Sequence, residues 1–196
     1  MRCAVLGDPI THSLSPALHR AAYVALGLDW TYDAVRVRSG GLADYLGDLD
    51  DQWRGLSLTM PLKREAIPLL TSRDSWAGLA GAANTLLLDR DGVHGLNTDV
   101  PGVVAALREA TPASVDRAVV LGGGATATSA LLALADLGCA HADLPEDGAL
   151  CIRARAGRCD LAAADQLAAR EPEVLAHQFE VVVRPDLRST RFASFR

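Results

Sequence analysis

Residues 2–27 read RCAVLGDPITHSLSPALHRAAYVALG, and this stretch decides the fold. CAVLG (3–7) is a short apolar run ending in glycine, the pattern of a buried strand. SLSP follows, and then Leu18, Ala21, Ala22 and Leu26 recur at helical spacing up to Gly27, a residue suited to ending a helix. The spacing predicts a helix over 16–26, so the chain opens as a strand–turn–helix unit. Working outward, WTYDAVRV (30–37) is rich in β-branched and aromatic residues and reads as a second strand, followed by a short helix over 41–49. RGLSLTM (54–60) reads as a third strand, and Pro61 opens a helix over 61–70. AANTLLLD and GVHGLN pair as a hairpin about Asp91-Gly92, and a longer helix covers 100–110. After a break at TPASVD (111–116), Arg117–Leu121 form a strand, GGGATA turns the chain, and an Ala/Leu helix covers 125–137. Strands alternating with helices imply an α/β protein with a mostly parallel sheet covered on both faces in three layers, and the break marks a boundary between two units. From about residue 144 the chain is dominated by Ala and Arg, with one helix (161–170) and one strand (Phe179–Val183) readable, and irregular or mobile packing is expected there.

Composition narrows the function classes. The 196 residues are 49% hydrophobic and 22% charged, which suits a globular protein with a sizeable core. A net charge of −5 offers no basic stripe for a phosphate backbone, so no nucleic-acid partner is expected. No window approaches the roughly 20 apolar residues of a membrane span and the first residues lack a signal-peptide core, so a cytoplasmic protein is expected. Cys3, Cys139, Cys151 and Cys159 form no CxxC pair and the five histidines show no ligand spacing, so no metal site is expected and the thiols read as reduced and structural. The three tryptophans read as packing residues.

Ser15-Pro16, Met60-Pro61 and Asp99-Val100-Pro101 each put a proline in the first turn of an expected helix. Such helix starts present N–H groups and a partial positive charge, and in α/β sheets they line the crevice at the carboxyl ends of the strands, where an anionic small molecule fits. Lys63 falls in the first turn of one of them. It is the only lysine in the chain, the other 18 basic residues being arginine, which points to chemistry that a permanently protonated guanidinium cannot perform. Asp99 by itself reads first as a helix cap. In VLGGGATA (120–127), Gly122 suits a tight turn, Gly124 admits a diphosphate and Ala127 allows close helix packing. The absence of a following GK[ST] excludes a Walker loop.

Five blocks in order, GDPITHSLSP (7–16), GLSLTMPLK (55–63), GAANTL (81–86), GLNTDVPG (95–102) and VLGGGATA (120–127), resemble the shikimate dehydrogenase family. The resemblance implies a substrate domain over 1–110 and a partial or divergent dinucleotide-binding, Rossmann-like domain over 111–196. It implies an enzyme that interconverts 3-dehydroshikimate and shikimate with NADPH, on the route to aromatic amino acids, as a monomer or homodimer. By the same resemblance Ser13 and Ser15 hold the substrate carboxylate, and Thr59 and Asn84 contact its other polar groups. Lys63 and Asp99 are catalytic, and Asn97 and Thr98 are mainly structural. NADP would lie on Gly122, Gly123, Gly124, Ala125 and Ala127.

The chain departs from the family pattern in places. Asp8 replaces a common Asn, SLT (57–59) replaces NVT, and no Asn-Arg-Thr-like motif for the 2′-phosphate follows Cys139, where Glu146 and Asp147 would repel that group. The family chain is also longer. A change of reading frame near residue 144 and a shortened natural relative are two origins for such a tail. The alternatives to the enzyme are a non-catalytic shikimate-binding fragment unable to hold NADP and a quinate/shikimate dehydrogenase.

Overall fold

The structure, a computed structural model, describes residues 1–110, 114–143, 152–153, 179–183 and 191–195. It divides into two compact units, Met1–Gly78 with Ala82–Asn97, and Leu79–Gly81 with Thr98–Arg196.

The first unit is built on a six-stranded sheet of order β2-β1-β3-β5-β6-β4. Its strands are β1 (Arg2–Gly7), β2 (Thr31–Arg36), β3 (Trp53–Leu58), β4 (Ser72–Arg73), β5 (Thr85–Asp89) and β6 (Gly92–Leu96). β1 pairs in parallel with both β2 and β3, the hairpin β5–β6 joins β3 antiparallel, and β4 runs parallel to β6. The opening apolar run is therefore a central strand, and its alternation serves two cores, since successive residues of a strand point to opposite faces. Ala4 and Leu6 join Leu56, Leu58 and Leu86 beneath α2 (Leu42–Gly47), α3 (Leu62–Glu65) and α4 (Ser75–Ala80), through Leu42, Leu62, Ala66 and Ala77. Cys3 and Val5 face the other way, toward Ile10, Tyr32, Trp30 and Tyr23 of α1 (Ser15–Ala25). The unit thus has the expected three layers.

Two expectations need correction here. The helix α1 forms, but Leu18 and Leu26, which defined its period, are 69% and 71% exposed. The helix meets the sheet through His19 and Tyr23 instead, an i, i+4 pair whose rings lie against Tyr32. The helix over 61–70 breaks into the single turn α3 and a 3₁₀ turn over Ile67–Leu69. Pro68 has no N–H to offer the Arg64 carbonyl, and the Lys63 carbonyl is taken by the Ala83 N–H at 2.8 Å. The dipole of so short a helix is small, so the helix-start argument for Lys63 loses most of its weight.

The second unit contains α5 (Asp99–Ala110), α6 (Ala125–Asp136) and a sheet of order β11-β10-β7-β8-β9. Here β7 is Arg117–Leu121, β8 His141–Asp143, β9 Ile152–Arg153, β10 Phe179–Val183 and β11 Arg191–Phe195. Leu107 of α5 packs with Val120 and with Ala127, Ala130, Leu131 and Leu134 of α6. That packing places α5 in this unit, so the division falls at Asn97–Thr98 rather than in 111–116. α6 is buried continuously from Ala127 to Leu134, as its Ala/Leu composition dictates. β7 and β8 pair in parallel, whereas β10, the strand expected over 179–183, pairs antiparallel with β7 and with β11. The helix expected over 161–170 lies outside the described residues, as does most of the stretch from 144 for which irregular packing was expected. Among the described residues no helix is long and apolar enough to cross a membrane and no group of His, Cys, Asp or Glu is placed to hold a metal ion.

Candidate active site

Parallel β1 and β3, and a β5–β6 hairpin whose first strand runs antiparallel to β3, bring four strand ends to one end of the first sheet. The segments after β1, β3 and β6 and the residue just before β5 all emerge there. The expected site residues of this unit lie on those segments: Ser13 and Ser15 after β1, Thr59 and Lys63 after β3, and Asn84 before β5. Backbone hydrogen bonds tie the ends of β1, β3, β5 and β6 to one another. Thr59 N–H donates to the Leu6 carbonyl at 2.9 Å, Asp8 N–H to the Met60 carbonyl at 2.9 Å, and Leu58 N–H to the Asn84 carbonyl at 2.7 Å. Asn84 N–H in turn donates to the Leu96 carbonyl at 3.0 Å, and Ala83 N–H holds the Lys63 carbonyl. The approach of the β1 end to this web is close. A Cβ on Gly7 would overlap Thr59 Cγ2 and stand 2.9 Å from the Met60 carbonyl oxygen, so only glycine fits there.

Ser13, Ser15, Thr59, Lys63 and Asn84 are all half-buried. Ser13 Oγ accepts the Ser15 N–H at 3.3 Å, a local turn at the start of α1. Because that bond uses an oxygen lone pair, the Ser13 hydroxyl proton stays available to an anion. Ser15 is the first residue of α1, Lys63 the second of α3, and Asn84 Oδ1 accepts the Thr85 hydroxyl at 3.1 Å. Glu65, on the same turn as Lys63, accepts the N–H groups of Gly40 and Leu42 at 2.9 and 2.8 Å and so anchors that turn to the start of α2.

Asp8 has a local explanation. Its carboxylate takes both ends of the Arg36 guanidinium, at 2.7 and 3.3 Å, with Arg38 at 4.0 Å, and this pairing holds the Arg36 pKa above its usual range. Asn97 behaves as a structural residue. It is 1% exposed, its side-chain N–H donates to the Ala82 carbonyl at 3.0 Å, and its backbone N–H meets the Asp74 carboxylate at 3.3 Å. Asp74 Oδ1 also accepts the Ala77 N–H at 2.6 Å and caps α4, a role that an Asp just ahead of a helix signals in sequence.

Asp99 and the glycine turn belong to the second unit. Asp99 opens α5. Gly122 has φ of +110°, a conformation that favours glycine and fits the tight turn after β7. Gly123 follows it, and Gly124 caps α6 with φ of −80°. No φ constraint and no protein neighbour requires glycine at 124, since a Cβ there would meet nothing within 4 Å. Open space before a helix start suits a diphosphate, whose oxygens would meet the backbone from Gly124 to Ala127. Ala125 is the first residue of α6, and Ala127 is 2% exposed against the core, as close packing of the turn requires. The β7–turn–α6–β8 segment therefore fits the phosphate end of a dinucleotide.

Sequence reasoning missed Tyr32 and Ser57. The Tyr32 hydroxyl lies 2.6 Å from Ser57 Oγ, and Tyr32 stacks under His19 behind Ser15. Nothing in the local pattern of either strand announces a pair separated by 25 positions.

Residues 5–86 match the family model described as the shikimate dehydrogenase substrate binding domain. The chain is 42% identical over 139 residues to the shikimate dehydrogenase (NADP(+)) of Moorella thermoacetica, covering 69% of this chain and 47% of that one. The shikimate 5-dehydrogenase of Thermus thermophilus, solved in complex with NADP(H) and shikimate, superposes with a TM-score of 0.70 at 32% identity, over 86% of this chain and 61% of that one. The ligand-free 5-ketofructose reductase of Gluconobacter sp. strain CHM43 is similar too, with a TM-score of 0.64 and 30% identity over 74% of this chain and 52% of that one. The chain spans about half to three fifths of the length of these relatives. Through the match of residues 5–86 to a substrate binding domain and these likenesses, the chain is similar to the shikimate dehydrogenases over their first half.

Proposed function

We propose that the first unit binds shikimate and 3-dehydroshikimate and that the chain acts as a cytoplasmic NADP-dependent shikimate dehydrogenase. One observation carries the reading: the parallel β1–β3 pair and the β5–β6 hairpin bring the segments that carry Ser13, Ser15, Thr59, Lys63 and Asn84 to one end of the first sheet. These residues supply two hydroxyl donors for a carboxylate, a hydroxyl and an amide for ring hydroxyls, and one titratable cation. NADPH, when bound, supplies the hydride that adds to the ketone carbon. The residues that would hold its diphosphate are Gly122, Gly123, Gly124, Ala125 and Ala127.

Reduction of the ketone also needs a proton as negative charge develops on its oxygen. Lys63 in its ammonium form meets both needs: its charge stabilises the oxygen, its N–H bond breaks and the O–H bond of the new alcohol forms. Asp99 enters through the resemblance as the second catalytic residue of that step.

A second reading, shikimate binding without turnover, is favoured by one observation. β10 runs antiparallel to β7, where a doubly wound nucleotide fold has parallel neighbours. Separate titrations of the full chain with shikimate and NADPH, followed by an assay of NADPH oxidation with 3-dehydroshikimate, decide between them. The proposal expects binding of both and turnover that Lys63→Ala lowers by about a hundredfold or more while shikimate affinity stays within about threefold. Shikimate binding with no NADPH binding supports the second reading. A Lys63→Ala variant with near-normal kcat removes Lys63 from the chemistry.

A further inference from the structure

A serine, a histidine and a carboxylate meet on the first sheet, and the proposed reaction uses none of them. Ser72 Oγ on β4 is 2.7 Å from His94 Nδ1 on β6, and His94 Nε2 is 2.9 Å from Asp89 Oδ1 on β5. The register brings them to one face. Ser72 pairs with His94 across the parallel β4–β6 pair, His94 pairs with Leu87 across the hairpin, and Asp89 stands two residues beyond Leu87. Asp89 is the last residue of β5, at the hairpin end, whereas Asn84 leads into the other end of that strand.

The surrounding backbone holds the three side chains in place. Thr71 fastens β4 to β6 twice beside Ser72: its N–H donates to the Val93 carbonyl at 2.8 Å, and its Oγ1 accepts the Val93 N–H at 3.1 Å. Gly92, with φ of +128°, admits that approach, because a Cβ there would overlap Thr71 Oγ1. Asp89 Oδ1 also accepts the Asp91 N–H at 2.8 Å, so the hairpin turn fixes the carboxylate that meets the imidazole. The bonds from His94 and Asp91 hold the Asp89 pKa below the usual carboxylate range, and the group is an anion in neutral solution.

Chemistry fixes the direction of the relay. A carboxylate only accepts, so Nε2 carries the proton, and in the neutral imidazole Nδ1 is then a bare acceptor. The Ser72 hydroxyl therefore donates to Nδ1. In this arrangement a histidine takes the proton of a serine as the serine oxygen attacks, and the carboxylate holds the tautomer. The two ring nitrogens exchange the roles they have in the serine proteases, which leaves the proton transfer itself unchanged. A structural role explains less. The Asp91 N–H already sets the turn and Thr71 already joins the strands, while Ser72 is exposed and water would satisfy its hydroxyl.

We propose that Ser72 is a nucleophile that accepts acyl groups from small activated esters, with His94 as its general base and Asp89 positioning the imidazole. Ser72 is exposed and the His94 side chain is 27% exposed, so a small ester reaches both groups directly. A site this open gives a departing group little help, which selects acyl donors with good leaving groups, namely aryl esters and thioesters. As the bond from Ser72 Oγ to the acyl carbon forms, the hydroxyl proton passes to His94 Nδ1. The bond from that carbon to the leaving group then breaks, and the leaving group takes the proton from Nδ1.

The test is the rate at which a fluorophosphonate, which forms a lasting adduct on activated serines, modifies the full chain. Trypsin releases Ser72 in the peptide Glu65–Arg73, and fragmentation of that peptide assigns the added group to Ser72 or to Thr71. The adduct should form on Ser72 and be absent from Ser72→Ala. Prior treatment with p-nitrophenyl acetate should slow its formation, because the acetyl group occupies the same oxygen. His94→Gln should slow phosphonylation about a hundredfold, the scale of a positioned general base. Asp89→Asn should slow it about tenfold when His94 is present and by less than about 1.5-fold in the His94→Gln background, whereas a merely structural carboxylate would act equally in both. Tryptophan fluorescence checks that each variant is folded. Should His94→Gln fail to fold, His94→Ala, with its rate restored by free imidazole, carries the same comparison. An unmodified Ser72, an adduct that p-nitrophenyl acetate does not suppress, or a His94 variant labelled at the wild-type rate would each overturn the proposal. Equal losses for Asp89→Asn in both backgrounds would overturn the relay through Asp89.

Discussion

Glu65 ties the turn that carries Lys63 to the start of α2, and its removal gives a graded test of how that turn is held. Its two oxygens accept the N–H groups of Gly40 and Leu42 at 2.9 and 2.8 Å, the first bond exposed and the second partly buried. A hydrogen bond to a charged acceptor contributes roughly 1.5–3 kcal/mol when sheltered, and an exposed one much less. A carboxylate at a helix start adds a few tenths. Glu65→Ala should therefore cost about 2 kcal/mol. Glu65→Gln keeps one carbonyl oxygen as an acceptor, loses the charge and should cost about half as much. Trp30, Trp53 and Trp76 all belong to the first unit, so tryptophan fluorescence during urea unfolding follows that unit alone. With a denaturant slope of about 1–1.5 kcal/mol per molar for a unit of this size, the Ala variant should unfold about 1.5 M earlier and the Gln variant about 0.7 M earlier. A Glu65→Ala midpoint within about 0.3 M of wild type would refute the anchoring role. A Gln variant as unstable as the Ala variant would refute the partition between geometry and charge.

Three further outcomes are expected. Replacing Ser13 and Ser15 together by Ala should raise the KM for 3-dehydroshikimate about tenfold or more with kcat within about threefold, because carboxylate anchoring is common to ground and transition states; steady-state kinetics at saturating NADPH reads this, and an unchanged KM would leave the serines as local caps. Asp89 accepts from His94 Nε2 at 2.9 Å and from the Asp91 N–H at 2.8 Å, which holds its pKa below the usual carboxylate range. Its stabilising contribution is present above the unfolded pKa of about 4 and lost as pH falls through the lower native value, so acid unfolding monitored by fluorescence should show a shallower loss below pH 4 for Asp89→Asn, and parallel curves would refute the linkage. Gly122→Ala forces a side chain onto a φ of +110°, a cost on the order of 1–3 kcal/mol; amide exchange in α6 should accelerate about tenfold and NADPH affinity should fall, whereas unaltered exchange would show that the turn relaxes freely.

What the sequence determines by itself is what local physics controls. The apolar run 3–7, the helix after it, the hairpin around Asp91-Gly92 and the strand–glycine–helix order of 117–136 were all legible, because each rests on period, turn chemistry or glycine placement within a few residues. The five motif blocks named the family for the same reason, being short contiguous segments. The tertiary structure decided what depends on pairing between distant segments. The outward turn of Leu18 and Leu26 follows from the competing stripe His19–Tyr23 finding Tyr32, and the break after α3 follows from Ala83 taking the Lys63 carbonyl. The placement of α5 follows from Leu107 packing on α6, and the antiparallel seat of β10 from its partners in the sheet. The Ser57–Tyr32 hydroxyl pair needed a parallel sheet that sets β1 between β2 and β3 and brings residues 25 positions apart within hydrogen-bonding reach, a long-range coincidence that no periodicity encodes.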